Sequence, residues 1–302
     1  MSRPPTFVPP PGARSYRLHT ERGDFAVVDA PAAPGTEPRG TALLLPGFTG
    51  SKEDFNPLHV PLAARGYRTV AVDGRGQFES DGPADEAAYA LEELARDALA
   101  QAGTLGTPLH LVGHSLGGLI ARAAVLLDHS PFVSLTLMAS GPAQVSAPQQ
   151  QRLKLLRDAL GVMPMAEVWE AIRAMEQMEP EDTDSGAELD AGTEDREDLR
   201  RRWLSNKPAQ LISTGRQLCV EPDRVTELAA VPLPFHVLSG ARDDAWPVTL
   251  MDRMAERLRA RRTVVEGAEH SPNCEQPLPT AHALAGFWDD VPPDADRVRL
   301  PA

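Results

Sequence analysis

The chain has 302 residues, with 43 Asp and Glu against 30 Lys and Arg, and a formal net charge of −13 at pH 7. This negative charge argues against nucleic acid or an anionic membrane as the main partner, because both would be repelled. Eleven acidic residues and one basic residue, Arg196, lie between positions 176 and 198, so the rest of the molecule is nearly neutral.

Cysteine content and the N-terminal segment indicate the compartment. Cys219 and Cys274 are far apart in the sequence and have no metal-ligand spacing, which favours free thiols in a reducing compartment. Residues 1–16 are proline-rich and lack the apolar stretch of a signal peptide. No apolar run approaches the length needed to span a membrane. We therefore expect a cytoplasmic protein without membrane insertion, and its oligomeric state stays open.

Seven short apolar segments favour β-strands. They occupy residues 25–30, 41–45, 67–73, 109–113, 135–139, 235–239 and 263–266. From position 41 onward most are continuously hydrophobic, which is typical of strands buried on both faces of a parallel sheet. Helix-like segments alternate with them at 87–102, 116–127 and 248–261. This alternation predicts an α/β fold with a mostly parallel central sheet flanked by helices.

The alternation is interrupted between residues 142 and 231, where the sequence predicts an all-helical insertion. Amphipathic helices are predicted at 148–160 and 165–178, and shorter helical pieces at 199–204 and 208–220. The acidic stretch 179–198 lacks the apolar residues to fold alone, so we expect a mobile loop there. Residues 1–141 and 232–302 would then form the core, and residues 142–231 a separate helical unit.

The strongest motif is G-H-S-L-G-G at residues 113–118. A G-x-S-x-G match alone is a weak signal, but this one follows the apolar segment LHLV and opens the helix-like segment LGGLIARAAVLL. A nucleophile elbow requires such a strand–turn–helix setting. The tight turn strains the serine backbone, so Gly113 and Gly117 must lack side chains. The hydroxyl of Ser115 would project above the sheet at the positive end of the following helix.

In this setting the chain resembles the α/β-hydrolase family, from about residue 41 to the end. The resemblance implies an enzyme with Ser115 as nucleophile and an oxyanion hole made by two backbone N–H groups, one of them from Leu116. The second donor would be Phe48, in the loop L-L-L-P-G-F-T-G-S at residues 43–51. Pro46 stands where the family usually has His, which leaves the backbone donor in place. An ordinary strand-end turn would also contain Pro-Gly.

The family order of nucleophile, acid and base requires the base to lie late in the chain. His270 follows the strand-like TVVEG in G-A-E-H-S-P-N-C-E-Q-P, which resembles the family's G-x-x-H-x-x-x-x-x-x-P loop. The other seven histidines have structural interpretations, including His114 within the elbow. The acid should follow the preceding strand, where G-A-R-D-D-A-W-P resembles G-x-x-D-x-x-x-P and gives Asp243 the acid position. Asp244 is the close competitor, separated by this spacing alone.

A further segment, D-G-R-G-Q-F-E-S at residues 73–80, resembles the family's D-x-R-G-x-G-x-S turn. Phe78 replaces its second glycine. We expect Asp73, Arg75 and Ser80 to be structural and to hold loops beside the active site.

The fold hosts many reactions, so the type of nucleophile must narrow the function. A serine argues against the haloalkane dehalogenase and epoxide hydrolase branches, which use Asp, and against the dienelactone hydrolase branch, which uses Cys. No H-E-x-x-H, phosphate loop or dinucleotide fingerprint occurs, so no cofactor and no metal is expected. Carboxylic ester hydrolysis is the broadest expectation. Thioesterase, amidase, C–C bond hydrolase and cofactor-free haloperoxidase activity stay open, as does a non-catalytic ligand-binding receptor of this fold.

The resemblance also implies a role for the helical insertion, because α/β-hydrolases place a helical cap at this point of the chain. Its adaptable apolar side chains, such as Met165 and Trp169, are candidates to contact an apolar ligand, although packing of the cap itself would occupy most of them. We expect a small-molecule, hydrophobic ester-like substrate of small to medium size, bound under a lid that gates access.

Overall fold

The computed structural model describes residues 3–178 and 193–291. Its eight strands are β1 (Arg14–Thr20), β2 (Gly23–Ala30), β3 (Gly40–Leu45), β4 (Tyr67–Val72), β5 (Leu109–His114), β6 (Phe132–Met138), β7 (Phe235–Gly240) and β8 (Arg261–Val265). Within the described ranges they form one sheet in the order β1-β2-β4-β3-β5-β6-β7-β8. The strands from β4 to β8 in this order run parallel, and β1 and β2 are antiparallel to their neighbours.

The helices lie between the strands, as the alternating pattern predicts. They are α1 (Asn56–Ala63), α2 (Leu91–Leu105), α3 (Leu116–Leu127), α4 (Ala147–Leu160), α5 (Met165–Met178), α6 (Thr193–Ser205), α7 (Pro208–Val220), α8 (Val225–Ala229), α9 (Val248–Leu258), α10 (Pro272–Glu275) and α11 (Pro277–Asp289). Short 3-10 turns occur at Lys52–Phe55 and Glu86–Tyr89. The predicted fold class is confirmed.

Strand β1 has no counterpart among the predicted strands. Its sequence, RSYRLHT, is polar, and nearly all of its side chains are exposed. It forms because it pairs along its whole length with β2 across a tight turn, with Thr20 opposite Gly23. A strand at the edge of a sheet needs little burial, so it leaves little hydrophobic signal in the sequence.

Alternate side chains of the central strands enter two separate cores. Leu43 and Leu45 of β3 pack with residues of α2, α3 and α9, such as Ala98, Leu119 and Met251. Ala42 and Leu44 of the same strand pack with residues of α1 and α11. Because successive side chains of a strand point to opposite faces, burial of both sets explains why these segments are continuously apolar.

Helices α4 to α8 form the insertion between β6 and β7. Part of the predicted acidic loop, residues 179–192, lies outside the described residues. The prediction of a loop is wrong for residues 193–198, which form the first turns of α6. Leu199 and Trp203, which are 7% and 1% exposed, bury one face of this helix. This packing stabilises the helix, including an N-terminal segment whose composition alone would not form one.

The start of the insertion is fastened to the end of α7. The backbone N–H of Gln144 donates to the carbonyl oxygen of Glu221 at 2.9 Å, and that of Val145 to the carbonyl oxygen of Leu218 at 3.0 Å. Buried Arg122 of α3 donates to the Glu221 carboxylate at 2.7 Å and also to the carbonyl oxygen of Pro142. Helices α4 to α7 therefore leave and return to the core at one place, beside the helix that follows Ser115.

Candidate active site

Ser115 lies in a strained turn between β5 and α3, at the centre of the sheet. Its φ and ψ angles are 54° and −118°, a region that residues with a side chain rarely adopt. A Cβ on Gly113 would clash with the carbonyl group of Gly117, and a Cβ on Gly117 would clash with the carbonyl oxygen of Leu45. Both glycines are therefore required by close backbone contacts, which agrees with the steric argument from the sequence.

The structure brings Ser115, His270 and Asp243 together at the carboxyl ends of β5, β8 and β7. His270 Nε2 lies 3.0 Å from Ser115 Oγ, and His270 Nδ1 lies 2.9 Å from Asp243 Oδ2. The Asp243 side chain is 0% exposed. Its other oxygen accepts the backbone N–H groups of Ala245 and Trp246 at 2.8 and 3.0 Å, which fixes the carboxylate toward the imidazole.

Asp244, the competitor for the acid position, lies near the imidazole but is hydrogen-bonded to α4 instead of to His270. Its side chain is 61% exposed and its Oδ2 lies 3.2 Å from Arg152 Nη1 on α4. Gln149 of the same helix also donates to it. Adjacent residues of a loop direct their side chains differently, and here Asp243 is the one that faces His270 Nδ1.

The charges around His270 favour its protonated form. Burial of the imidazole alone would lower its pKa. The hydrogen bond and the negative charge of Asp243 outweigh this effect of burial, and the negative charges of Asp244 and Glu275 act in the same direction as Asp243. The pKa of His270 is therefore raised above its ordinary value. This is the direction expected for a histidine that must accept a proton during a reaction.

Among the described residues, Asp243, Asp244 and His270 are the group that could offer three ligands to a metal ion, with ligand atoms within 4.8 Å of one another. The facing atoms of Asp243 and His270 are already hydrogen-bonded to each other. The cluster is thus explained by an Asp–His pair with a neighbouring exposed carboxylate.

Two residues beyond the predicted set hold the backbone around His270. His114 Nε2 lies 2.8 Å from the carbonyl oxygen of His270. Glu275 accepts the backbone N–H of Ser271 at 3.2 Å and also that of Glu269, on the other side of His270. The sequence places Glu275 five residues after His270 and His114 next to Ser115. These short spacings are the only hints in the sequence that the two residues could act near His270, and neither spacing predicts a contact with the backbone.

Phe48 and Leu116, the predicted oxyanion donors, flank Ser115. Gly47 lies so close that a Cβ there would come within 3.3 Å of Ser115 Cβ. Neither the N–H of Phe48 nor that of Leu116 donates to another described residue. Gln77 Nε2 holds the loop by donating to the carbonyl oxygen of Gly47 at 2.8 Å. The N–H groups of Phe48 and Leu116, which follow Gly47 and Ser115 in the chain, are thus left without a partner among the described residues.

The segment at residues 73–80 contacts neighbouring loops and helices, in keeping with the structural role expected for it. Ser80 Oγ donates to the carbonyl oxygen of Asp73 at 2.8 Å, and Arg75 Nε donates to Asp97 at 2.7 Å. Phe78 has a φ of 40°, a left-handed conformation that the family's glycine would adopt without strain. Its N–H donates to Asn206 Oδ1 at 2.9 Å, which ties this turn to the end of α6.

A cavity of about 660 Å³ opens above Ser115 and His270. Its lining from the insertion includes the buried apolar residues Val145, Leu153 and Leu218. Charged residues surround it where it meets solvent; they are Arg152, Arg242, Asp244, Glu269 and Glu275.

Trp169 and Met165, the two candidate ligand contacts, are not among the residues that line this cavity. Trp169 is 6% exposed and packs with Val168, Leu199 and Trp203 inside the insertion. Trp203 Nε1 donates to the carbonyl oxygen of Met165 at 2.8 Å. The structure thus places both residues in the internal packing of the insertion, in contrast to the expectation, because α5 turns this face toward α6.

Residues 42–283 match the model of the alpha/beta hydrolase family. The chain belongs to this family. This alpha/beta hydrolase is 30% identical over 228 residues to the pimeloyl-(acyl-carrier protein) methyl ester esterase of Aeromonas hydrophila subsp. hydrophila, a match that covers 72% of this chain and 84% of that protein. Membership of the family and relatives of this kind identify the chain as a hydrolase.

Several solved structures are similar in fold to this alpha/beta hydrolase. A thermophilic esterase from Thermogutta terrifontis matches with a TM-score of 0.69 and 21% identity, over 92% of this chain and 99% of that one. A bromoperoxidase from Bacillus anthracis matches with a TM-score of 0.71 and 16% identity, over 92% and 100%. In the part of the chain that the structure describes, no helix combines the length and apolar character needed to cross a membrane.

Proposed function

We propose that this alpha/beta hydrolase cleaves carboxylic esters, with Ser115 as nucleophile, His270 as general base and Asp243 as the acid that orients it. The observation that carries the proposal is the chain of two hydrogen bonds, 2.9 and 3.0 Å long, that joins Asp243 through His270 to Ser115 Oγ. A nucleophile within hydrogen-bond reach of a base that a third group orients is the arrangement that activates serine for acyl transfer.

In the proposed reaction, His270 Nε2 takes the proton of Ser115 as the serine oxygen attacks the ester carbonyl carbon. The resulting oxyanion would accept the backbone N–H groups of Phe48 and Leu116. The imidazolium then gives its proton to the alcohol oxygen as the C–O bond breaks, which leaves Ser115 acylated. Water attacks the acyl carbon while His270 takes one of its protons, and Ser115 recovers this proton as the carboxylic acid leaves. Asp243 stabilises the imidazolium throughout.

The cavity supports a substrate with an apolar part of modest size. Its buried wall of Val145, Leu153 and Leu218 would contact an apolar acyl or alcohol group. At its opening, Arg152 pairs with Asp244, and Arg242 Nε lies 3.8 Å from Glu269. These charges are close to balanced, which favours a substrate without a strong net charge.

We further propose that residues 142–231 act as a cap over the site and gate access to it. The buried apolar cavity residues that come from this insertion support that role. The methyl ester named for the Aeromonas hydrophila relative supports an ester as the reacting group. The cytoplasmic location stays a prediction from the sequence.

The test combines a fluorophosphonate probe with steady-state kinetics. The probe should label Ser115, and Ser115→Ala should lose labelling and at least about a thousandfold in kcat. An ester, a thioester and an amide that share one short acyl group should then be compared, and the ester should be the best substrate. Labelling of another serine, or full activity of Ser115→Ala, would contradict the nucleophile. Preference for the thioester or amide would change the reaction and leave the triad intact.

A further inference from the structure

Asp54 is a fully buried carboxylate directly behind the loop that carries Phe48. Its Oδ2 accepts the backbone N–H of Ser51 at 3.2 Å, and a Cβ on Gly50 would clash with the same oxygen. The N–H of Gly50 donates in turn to the carbonyl oxygen of Gly47 at 3.2 Å. The position of the Asp54 side chain and the course of residues 47–51 therefore depend on each other.

The main chain of Asp54 holds the segment that follows His270. Its carbonyl oxygen accepts Asn273 Nδ2 at 2.7 Å and the Cys274 thiol at 3.2 Å. Asn273 lies in α10, only three residues after His270, and is fully buried. The loop that carries the imidazole is thus attached to the residue that also supports the oxyanion loop.

The third contact of Asp54 comes from the insertion. Arg202 of α6 places Nη1 2.9 Å from Asp54 Oδ1 and 3.3 Å from Ser51 Oγ. Both side chains of this ion pair are 0% exposed. A buried carboxylate that loses its charged partner is strongly disfavoured, so the ion pair links the arrangement around Asp54 to the docking of α6 on the core.

We propose that Asp54 is a positioning residue, and that its ion pair with Arg202 makes alignment of the oxyanion loop and the His270 loop depend on docking of the insertion. The inference rests on the proposed function, because it concerns the loops that would carry Phe48 and His270. If Arg202 withdraws, the carboxylate must shift or take up water, and either change moves the Ser51 N–H and crowds Gly50. Small displacements of reacting groups have large effects on rate, so the chemical step should respond more than substrate binding.

The surrounding contacts indicate that variants of this pair should still fold. Lys52, two residues before Asp54, lies 2.8 Å from both Asp73 and Glu79. Through Asp73 it anchors the 3-10 turn to the end of β4, and this ion pair lies within the core. The loss of Arg202 should therefore disturb the two loops locally rather than the sheet beneath them.

The experiment compares Arg202→Gln and Asp54→Asn with a matched control, Glu221→Gln. The control removes another buried ion pair between insertion and core, 2.7 Å long, which touches neither loop. With a short-chain ester, both test variants should lose at least about tenfold in kcat while KM stays within about threefold, and the control should keep kcat within about twofold despite a lower Tm. The charge-preserving Arg202→Lys should recover part of the lost kcat.

The pH profile separates positioning from general destabilisation. The groups that face His270 are Asp243, Asp244, Glu275 and His114. Displacement of the His270 loop weakens its hydrogen bond to Asp243, so the acid limb of kcat/KM should move to lower pH in Arg202→Gln and stay in place in Glu221→Gln. If Arg202→Gln does not fold, Arg202→Lys and Asp54→Asn provide the same comparison.

The inference would be overturned if Asp54→Asn and the Arg202 variants kept the wild-type kcat and the wild-type position of the acid limb. A change in KM or Tm alone would overturn it too. An equal loss of kcat in Glu221→Gln would also overturn it, since any loosening of the insertion would then suffice. These outcomes, found together with an inactive Ser115→Ala, would leave the proposed function standing. An active Ser115→Ala would instead remove the proposed function itself.

Discussion

His114 donates a hydrogen bond from Nε2 to the backbone carbonyl oxygen of His270 at 2.8 Å. A carbonyl oxygen can only accept, so the proton of His114 is on Nε2. Burial, and next the nearby His270 imidazole, lower the pKa of His114 to about 4, which keeps its ring neutral near pH 7. The residue before the proposed nucleophile thus holds the backbone of the proposed base.

Replacement of His114 by phenylalanine keeps a ring of similar size but removes the donor to His270. We expect kcat for a short ester to fall about tenfold, the effect of losing roughly one buried hydrogen bond. The control is His59→Phe, since His59 of α1 is also fully buried and lies 2.6 Å from Thr69 Oγ1, away from the cavity. The control variant His59→Phe should lower Tm and leave kcat unchanged. Equal effects of both variants on kcat would show that His114 contributes to stability only.

The two neighbouring aspartates should respond differently to the same substitution. Asp243→Asn removes the acceptor that faces His270 Nδ1, and kcat should fall by about three to four orders of magnitude. Asp244→Asn changes an exposed side chain at the opening of the cavity, so its kcat should stay within about fivefold of the wild type. Steady-state kinetics on one ester decide between them. A severe loss in Asp244→Asn with a mild effect of Asp243→Asn would assign the acid to Asp244 and leave the proposed mechanism otherwise unchanged.

The acid limb of the pH profile should lie at unusually high pH. Although burial opposes it, Asp243 raises the pKa of His270, and a protonated imidazole cannot take the proton of Ser115. Activity is therefore lost as pH falls through this raised pKa, and the midpoint of kcat/KM should lie above the ordinary histidine value of about 6.5. Residual activity of Asp243→Asn should have a midpoint at lower pH. A wild-type midpoint below 6.5, or one that the substitution does not move, would contradict His270 as the base.

Two leucines of α4 provide a matched test of the apolar wall. Leu153 is 8% exposed and lines the cavity, whereas Leu155 is 63% exposed and does not. Leu153→Ala should favour acyl or alcohol chains about two carbons longer, since each methylene in such a pocket changes kcat/KM about tenfold or more. Leu155→Ala should leave the preference unchanged, and Trp169→Ala should lower Tm without altering it. A shift with Trp169→Ala alone would place the ligand elsewhere under the insertion.

The elements predicted from sequence are those whose signal is local. Strands β2 to β7 correspond to runs of apolar residues, because a strand covered on both faces must be apolar along its length, whereas the partly exposed edge strand β8 keeps only a short apolar run at its end. Ser115, Asp243 and His270 each follow such a strand, and parallel strands bring their carboxyl ends to one edge of the sheet. Motif spacing was therefore enough to nominate three side chains that the structure places within hydrogen-bond distance.

What the sequence could not supply depends on tertiary partners. Arg202 belongs to a helix rich in charged residues, and only its position against Asp54, far away in the sequence, distinguishes it from exposed arginines such as Arg201. Trp169 has the same amphipathic pattern whether it faces a ligand or another helix. In this fold α6 covers it. Periodicity identifies a buried face but does not say what buries it.

The hydrogen bond between Gln144 and Glu221 has a consequence for engineering. Because α4 to α7 start and end at one point, we expect that the segment between these residues can be exchanged for that of a relative without altering the order or register of the strands. A chimera of this kind would inherit a new apolar wall and with it a new chain-length preference. Asp54 sets a condition on such an exchange: the donor segment must supply a cation where Arg202 now lies, or the recipient must lose its buried carboxylate.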